Sequence, residues 1–331
     1  MNNFKERFTN KVYAFLFWQT SFGEYLNKMY DLSLFFKYSF KLNKTNSKQN
    51  KIASLTKNYH IVEKGLALPN TRTEFGQQKI IKLIQDATLF IEEYGNESLI
   101  LAIKNCLSEY YDFNKRSGVN LDTDYFRTIA IFISTEFSAE KIGGTKTITK
   151  EEIANATNFD FENFIKARSS IRDFDISELD VEKVEKAIDL ARFTPSVCNR
   201  QSWKAHLFTK KKDVLKVLAF QNGHGGFKES IQGVIVVTTD IRMFTKLETN
   251  QVFVDGGLFA MNVINALHFY GIGTCPLNTC IPFVDEKKLK RNAKIDESER
   301  VIMMIAIGSI KEVFKVAISK RRDLNQILIN H

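Results

Sequence analysis

The stretch from Ala191 to Trp203 constrains the fold of this chain more than any other. It joins a helical pattern to a short apolar run, which predicts a helix-to-strand connection. Pro195 is expected to end the helix, because proline disfavours the helical conformation in the residue before it. Trp203 is expected to anchor the next strand in the core. Between the two lie four hydrogen-bonding side chains: Ser196, Asn199, Arg200 and Gln201. Such a loop is either turn chemistry alone or a rigid shelf for a polar ligand.

Length and charge set broad bounds. The chain has 331 residues, 44% of them hydrophobic, which is enough for two ordinary domains or for one domain with a large extension, and for a sizeable core. Its net charge of +9 favours an anionic partner such as phosphate or an anionic membrane. We do not expect a nucleic-acid partner, because the charge is spread along the chain and no recognition motif is present.

Metal sites and targeting segments are not expected. The four cysteines form no C-x-x-C pair and the five histidines no H-x-x-x-H pair, so we predict no metal site. Few cysteines in a long chain predict reduced thiols and a cytoplasmic location. The apolar run Val12–Trp18 is too short to span a bilayer and lacks a cleavage site.

The first half of the chain predicts a mainly helical extension, residues 1–150. Helical periodicity indicates helices over Thr73–Tyr94 and Glu97–Asn114, whereas Asp124–Phe137 is ambiguous between helix and strand. The polar segment Ser138–Lys150 is the best boundary before a second domain, residues 159–331.

Two features of this half allow a functional reading. Aromatic side chains lie among seven lysines between Lys28 and Lys57, with Asp31 as the one acid. They predict either a face for an anionic membrane or polyanion, or a solvated helix face. Gly65 is expected to end a helix in the left-handed conformation, and His60, Glu63 and Lys64 either line a site or form a structural turn.

In the second half, Arg168-Ser169-Ser170-Ile171-Arg172 suits a phosphate. Guanidinium groups grip two phosphate oxygens and hydroxyls reach the others. Gly271-Ile272-Gly273 ends a helix and is no dinucleotide fingerprint, and no Walker loop is present. Side chains must therefore hold any nucleotide phosphate, either Arg168 with Arg172 or Lys320 with Arg322.

Periodicity predicts the other elements of this half. Helices are expected over Phe159–Ala167, Val181–Arg192, Lys212–Phe220, Gln251–Tyr270 and Asp285–Asn292. Strands are expected over Trp203–Thr209, Val234–Thr238 and Arg300–Ile307, and a loop over Thr274–Cys280.

These residues resemble the FMN-dependent nitroreductase family from about Phe161 to the C-terminus. The family's Arg-x-Ser-x-Arg motif matches Arg168–Arg172, and its Pro-Ser-x-x-Asn-x-Gln-x-Trp motif matches Pro195–Trp203, with Ser202 in place of the usual proline. A Gly-x-Gly-Thr-Cys loop matches Gly271–Cys275, and a basic motif closes the chain.

The resemblance implies an α+β fold, with a central and mostly antiparallel sheet wrapped by helices, and a homodimer with FMN at the subunit interface. It assigns to the flavin Arg168, Ser169, Ser170 and Arg172, and to its phosphate also Lys320 and Arg322, with Lys315 as an alternative. It assigns to a shelf from the partner subunit Pro195, Ser196, Val197 and Asn199. It assigns to the flavin edge Pro276, Leu277, Asn278 and Thr279, with a further contact from Asn222–Lys228.

By the same resemblance, NADH or NADPH passes hydride through flavin N5 to an electron-poor acceptor, such as a nitroaromatic or a quinone, by a ping-pong mechanism. No catalytic side chain is expected, since the cofactor carries the chemistry. Ser202, Val197 and Asn278 depart from family patterns and leave the acceptor open. The extension resembles one in nitroreductase-like proteins linked to bacterial polysaccharide biosynthesis. The alternative is therefore a non-catalytic or specialised protein whose N-terminal half binds a membrane surface or a protein partner.

Overall fold

The computed structural model describes residues 21–40, 47–134 and 142–331. They form two compact units. The first takes in the described residues up to 158 together with residues 195–202 and 239–255, and the second takes in the remainder. The first unit thus includes two stretches from the second half of the sequence.

The first unit is helical in its N-terminal part. Its helices are α1 Ser21–Tyr38, α2 Lys48–Leu66, α3 Gln77–Tyr94, α4 Ser98–Arg116, α5 Asp124–Ile133 and α6 Lys150–Ala156. Side-chain caps define several starts: Ser47 forms a capping box with Asn50, and Thr149 forms one with Glu152. The helical prediction for this region is confirmed, and the ambiguous segment is the helix α5.

The core of this unit lies between α2, α3, α4 and α5. Tyr110 is fully buried there, and its ring meets the Phe75 ring edge-on at 5.1 Å. Gly65 lies inside α2 and does not end it, so the predicted left-handed helix end was wrong. A Cβ at Gly65 would run into the Phe75 ring, so a larger residue here would have to displace that ring.

A short segment after the helical core is held by two carboxylates. Glu63 accepts a hydrogen bond from the backbone N–H of Gly144 at 3.1 Å, and Glu109 accepts one from that of Thr145 at 2.9 Å. Glu63 also lies 3.0 Å from Nδ1 of His60. Of the predicted cluster of His60, Glu63 and Lys64, Glu63 therefore holds the chain at Gly144, and Glu109 holds it at Thr145.

The predicted basic and aromatic run is divided in the structure. Lys41 and Lys44 lie outside the described residues. Lys48 pairs with Glu97 at 2.5 Å, and Lys51 pairs with Glu93. Of the aromatic residues, Phe35 and Phe40 are buried whereas Phe36 is exposed. The described part of this run therefore forms no continuous basic face.

The second unit contains the sheet. Its elements are α7 Phe161–Ala167, α8 Val181–Ala191, β1 Trp203–Phe208, α9 Lys211–Leu218, β2 Gly233–Asp240, α10 Gln251–Phe269, β3 Ile272–Leu277, α11 Phe283–Ala293 and β4 Glu299–Ser309. The last residues of β2 and the first of α10 belong to the first unit. Asp180 caps α8 by accepting from the N–H of Lys183, as expected from its position.

The sheet has the strand order β1-β2-β4-β3. β3 and β4 are antiparallel, with Ile272 opposite Ser309 and Leu277 opposite Met304. β2 is also antiparallel to β4. The backbone N–H of Gln232, just before β2, donates to the carbonyl of Ile307, whereas the hydroxyl of Thr238 near the end of β2 donates to the Glu299 carboxylate. The predicted α+β fold is confirmed.

Thr274 to Leu277, which the sequence predicted as loop, belong to strand β3, and that prediction was wrong. Pro276 is compatible with a strand because β3 lies at the edge of the sheet. The proline and the neighbouring glycines made this segment resemble a loop in the sequence. Its pairing with β4 makes it an edge strand instead.

Helices cover both faces of the sheet. Along β2, Val234 and Val236 enter a core with α9 and α11, while Ile235 and Val237 enter a core with α8 and α10. Trp203 stacks on Phe259 of α10 with ring centroids 5.0 Å apart, so its predicted anchoring role is confirmed. Among the described residues, α10 is the one helix with the length and apolar composition to cross a bilayer, and half of it is buried in protein.

Candidate functional site

The Arg168–Arg172 segment is fixed to the sheet edge through its fourth residue, Ile171. The backbone N–H of Ile171 donates to the carbonyl of Thr274 in β3 at 2.8 Å, and the Ile171 side chain is buried. Buried Ile171 thereby sets the path of the chain, and the four predicted flavin-binding residues flank it: Arg168, Ser169, Ser170 and Arg172.

The electrostatics of this segment favour an anion. Among the described residues, no carboxylate pairs with Arg168 or Arg172, and Arg172 donates only to the carbonyl of Ser170 at 3.5 Å. Burial lowers the pKa of His268, and the charge of Arg168 lowers it further, against a hydrogen bond with the Phe164 carbonyl. The two guanidinium groups therefore create a positive field without a protein counter-ion.

The end of β3 brings the second predicted set close to the first. Leu277 is buried, and Asn278 follows it on the surface. The carbonyl of Asn278 accepts from the Gln221 side chain at 3.0 Å, and its own side chain accepts from the N–H of Cys280 at 3.1 Å. Thr279 donates to the carbonyl of Ile302 in β4 at 2.9 Å. Pro276–Thr279 is thus a fixed edge within the second unit.

The structure resolves the position of the Asn222–Lys228 loop. Gln221 joins the start of this loop to Asn278, and the ring of His224 lies 2.9 Å from the carbonyl of Leu218. Phe227 is buried in the sheet core. Sequence reasoning missed Gln221, although a glutamine at a helix end before a glycine loop was a usable signal.

The C-terminal cations do not join this cluster in the single chain. Phe314 packs against the sheet core, and every residue from Lys315 onward is exposed. Among the described residues, no hydrogen bond or ion pair links Lys320 or Arg322 to the Arg168–Arg172 segment. The phosphate contact of Lys320 and Arg322 therefore remains a prediction.

The predicted shelf, Pro195 to Asn199, belongs to the first unit. Residues Val197–Asn199 form a single 3-10 turn, and Cys198, Asn199 and Gln201 have φ angles of 50°, 53° and 49°. The hydroxyl of Ser196 accepts from the N–H of Gln201 at 2.9 Å and closes the turn. Three left-handed non-glycine residues within four positions are unusual and require support from their surroundings.

One support of the shelf is Asp255, a buried carboxylate in α10. It accepts from the N–H of Val197 at 3.2 Å and from the side chain of Gln251 at 2.7 Å. Burial raises its pKa above the usual value, against these two hydrogen bonds and the nearby Arg200 charge. Sequence reasoning missed Asp255, although an acid in a long apolar helix was a visible signal.

The other support is Arg200, whose side chain is fully buried. Its guanidinium donates to Glu248 at 2.9 Å and to the carbonyl of Val197 at 3.1 Å. The rings of Phe40 and Phe244 lie 5.6 and 5.7 Å from its central carbon, within range for cation–π attraction. Arg200 was expected as a polar loop residue. In the structure it is buried and stabilises the shelf from inside the first unit.

Comparison with known proteins gives a family match for part of the chain. Residues 165–223 match the sequence model of the nitroreductase family. The second half of the chain carries a nitroreductase-family segment. The match includes the Arg168–Arg172 motif, the shelf and Gln221, and the resemblance drawn from the motifs is confirmed. It supports an oxidoreductase that uses a flavin, while the individual contacts of the site residues remain predictions.

Solved structures give similar matches. An FMN-dependent nitroreductase from Clostridium difficile is 21% identical, covering 52% of this chain and 99% of its own, with a TM-score of 0.45. A nitroreductase family protein from Streptococcus pneumoniae is 22% identical, covering 52% and 100%, with a TM-score of 0.44. A nitroreductase-like protein from Streptococcus mutans is 19% identical, covering 52% and 98%, with a TM-score of 0.45. At these values the likeness says nothing about substrate. The chain matches no curated protein sequence.

Proposed function

We propose that this protein is an FMN-dependent oxidoreductase that oxidises NADH or NADPH and reduces an electron-poor acceptor in two separate half-reactions. The observation that carries the proposal is the Arg168–Arg172 motif. It lies in the family-matched segment, is fixed to β3 through Ile171, and presents two guanidinium groups that no carboxylate neutralises among the described residues. An anionic cofactor fits such a site.

The residues present fit FMN by their chemistry. Arg168 and Arg172 would bind the phosphate and the pyrimidine side of the ring, and the hydroxyls of Ser169 and Ser170 would bind the phosphate and the ribityl chain. The edge from Pro276 to Thr279 would lie along the ring; Gln221 binds the Asn278 carbonyl of this edge, and the Thr279 hydroxyl binds the Ile302 carbonyl. When bound, FMN supplies the group that accepts and donates hydride.

A homodimer is part of this proposal. Leu258, Met261 and Phe269 lie on one face of α10 and are each at least two-fifths exposed. The tail beyond Phe314 exposes further apolar side chains, Val316, Ile318, Leu324 and Ile327 among them. A second copy that covers these surfaces would bring its shelf, and the tail cations Lys320 and Arg322, to the flavin.

Purified protein tests the proposal directly. It should be yellow, and denaturation should release FMN at about one per chain. Anaerobic mixing with NADH and with NADPH should bleach the bound flavin, and a screen of nitroaromatic and quinone acceptors should restore its colour. A colourless protein that takes up no added FMN would overturn the assignment.

A second candidate function is binding of the N-terminal half to a membrane surface. Five large apolar side chains form an exposed stripe on α1: Phe22, Tyr25, Met29, Leu32 and Phe36. Their alternating spacing of three and four keeps them on one helix face, and Lys28 and Lys37 flank it. Roughly 500 Å² of apolar surface is thereby exposed, at the upper end for a soluble monomer. We propose an anionic bilayer surface as its occupant, with the protein cytoplasmic and peripheral.

Vesicle co-sedimentation tests this second candidate. The protein should sediment with vesicles that contain phosphatidylserine, and Phe22→Ser with Phe36→Ser should abolish it, whereas Ile131→Ser on the exposed face of α5 should not. If the double substitution of Phe22 and Phe36 leaves the amount of sedimented protein unchanged, the proposal is contradicted. A stripe that instead retains a protein would favour the alternative in which the N-terminal half binds a protein partner.

A further inference from the structure

We infer that Phe40, which lies in the helical extension just after α1, is a positioning residue for the predicted flavin shelf and acts through Arg200. The inference rests on the proposed function, because the shelf has this role only if the protein binds FMN. All the contacts that carry it lie within the first unit, which contains Phe40, the shelf and residues 239–255.

The shelf depends on Arg200 because of its backbone. Cys198 and Asn199 are consecutive left-handed residues, with φ angles of 50° and 53°. Residues other than glycine keep this conformation only where surrounding contacts hold them in it. The backbone N–H and the guanidinium of Arg200 both donate to the carbonyl of Val197, at 3.2 and 3.1 Å. These two hydrogen bonds close the turn around the left-handed pair.

The guanidinium of Arg200 is in turn held by one carboxylate and two aromatic rings. Its Nη2 donates to Glu248 at 2.9 Å, whereas its Nη1 is buried and meets no acceptor among the described residues. The rings of Phe40 and Phe244 lie 5.6 and 5.7 Å from the central carbon of the guanidinium. Cation–π attraction is stronger for a desolvated cation than for an exposed one. The two rings are therefore needed to keep this buried guanidinium in place.

Phe40 itself is fixed by its backbone. Its N–H donates to the carbonyl of Phe244 at 2.9 Å, and Phe40 pairs with Thr245 in an isolated parallel bridge. The Glu248 carboxylate that binds Arg200 also accepts from the N–H of Thr245 at 2.7 Å. Phe40, Phe244, Thr245, Glu248 and Arg200 thus form a closed loop of contacts.

The start of α2 fastens this loop of contacts to the extension. Asn50 is 3% exposed, and its side-chain amide donates to the carbonyl of Tyr38 at 3.2 Å and to that of Arg242 at 2.8 Å. Asn50 therefore holds the end of α1 beside the segment that carries Phe244. The Phe40 ring is presented to Arg200 from a packed framework, as a positioning role requires.

The consequence concerns flavin affinity. Without the Phe40 ring, the guanidinium should leave the Val197 carbonyl more often, and the shelf should open more often. FMN would then meet a shelf that is in place for a smaller fraction of the time, which weakens its apparent binding. The extension would thereby influence how tightly FMN binds, although none of its residues is predicted to contact the flavin.

The test compares Phe40→Leu with Phe35→Leu in the full 331-residue chain. Phe35 is the matched control, because both phenylalanines are 4% exposed and only the Phe40 ring lies within cation–π range of Arg200. Both substitutions remove a buried ring, and we expect similar losses in thermal midpoint. Relative to the control, Phe40→Leu should weaken FMN binding about threefold to tenfold.

Hydrogen exchange in flavin-free protein reports on the shelf directly. The amides of residues 197 and 199–201 all donate to acceptors, so their exchange requires the shelf to open. In Phe40→Leu they should exchange about threefold to tenfold faster than in Phe35→Leu. The amides of α3 should exchange at the same rate in both variants. A role in general stability alone would change both sets of amides alike.

A double-mutant cycle isolates the pair. Arg200→Met removes the guanidinium on which the Phe40 ring acts. In that background Phe40→Leu should change shelf exchange and FMN affinity no more than Phe35→Leu does. An effect as large as in the wild-type background would overturn the inference.

The exchange measurement needs no flavin, and this separates the two failures. Absence of FMN binding in the wild-type protein would overturn the proposed function and the flavin role of Phe40 with it. If the wild-type protein binds FMN, shelf exchange and FMN affinity that are the same in Phe40→Leu and Phe35→Leu would overturn the positioning role alone.

Discussion

The backbone N–H of Val197 donates to the carboxylate of Asp255 at 3.2 Å, and this bond ties the predicted flavin shelf to α10. Asp255 lies 58 residues further along the chain and is completely buried. A buried carboxylate loses its hydrogen bonds to water. The two hydrogen bonds that Asp255 accepts, from a backbone N–H and from an amide N–H, offset part of this free-energy cost. Its raised pKa shows that the compensation is incomplete.

Asp255→Asn should therefore be tolerated, whereas Asp255→Ala should not. The amide keeps an acceptor oxygen for Val197, but alanine leaves a buried N–H without one, at a cost of about 1–3 kcal/mol. Because the folded pKa of Asp255 is raised, wild-type stability falls as pH rises from about 3.8 through that pKa. The stability of Asp255→Asn relative to wild type should grow over the same window and then level. Urea unfolding from pH 4 to 7 measures it, and a constant difference would contradict the assignment.

Arg168→Ala and Arg172→Ala should each weaken FMN binding. Each removes a charge-assisted contact of about 1.5–3 kcal/mol, which corresponds to roughly 10- to 150-fold in the dissociation constant. Fluorescence titration of flavin-free protein gives the constants. Arg192→Ala is the control, because that exposed arginine pairs with Asp189 at 3.1 Å. Unchanged affinity in both variants would show that the phosphate site lies elsewhere.

Glu299→Gln should remove an acid-sensitive part of the stability. The Glu299 carboxylate is buried in the sheet and accepts from Lys204, His206 and Thr238 at 2.6–2.7 Å. Burial alone would raise its pKa, but these hydrogen bonds outweigh burial and hold the pKa at about 2, below its usual 4.5.

The sign follows from that depressed pKa. The stabilisation is fully present above pH 4.5 and is lost as pH falls toward 2. It amounts to about 3 kcal/mol, so Glu299→Gln should lose that much at pH 7 and show a flatter acid profile. Urea unfolding across this range measures it. The exposed Glu229→Gln, which pairs with Lys211 at 3.6 Å, should change stability by less than about 0.5 kcal/mol.

Gly65→Ala should destabilise the helical unit although alanine favours helices. Its methyl group would meet the Phe75 ring, which packs on Tyr110, and displacing this ring should cost about 1–3 kcal/mol. Gly257→Ala in α10 is the matched control, because nothing lies within 4 Å of its added Cβ. That change should be neutral or stabilise by up to about 1 kcal/mol. Thermal unfolding of the two variants decides, and equal midpoints would contradict the packing argument.

Periodicity predicted most helices and strands because each buries one regular stripe. The alternation of Val234, Ile235, Val236 and Val237 between two cores, for example, follows from a strand covered on both faces. The sequence pattern failed at Gly65 and at Thr274–Leu277 for one shared reason. A glycine or proline signals a turn locally, but the Phe75 contact and the β4 pairing that explain these residues come from distant parts of the chain.

By itself the sequence determined the α+β class, the helical extension, and the motifs whose order indicates a flavin site. The helical extension follows from local periodicity, whereas the α+β class and the flavin site are what the resemblance carried by the ordered motifs implies. Only the tertiary structure decided that Asp255 and Arg200 meet at the shelf, where they bind Val197 beside a turn with left-handed residues. Long-range packing brings those groups together, and no spacing along the chain encodes it. The same packing separated the lysines of the extension, since Lys48 and Lys51 bind acids that lie more than forty residues away.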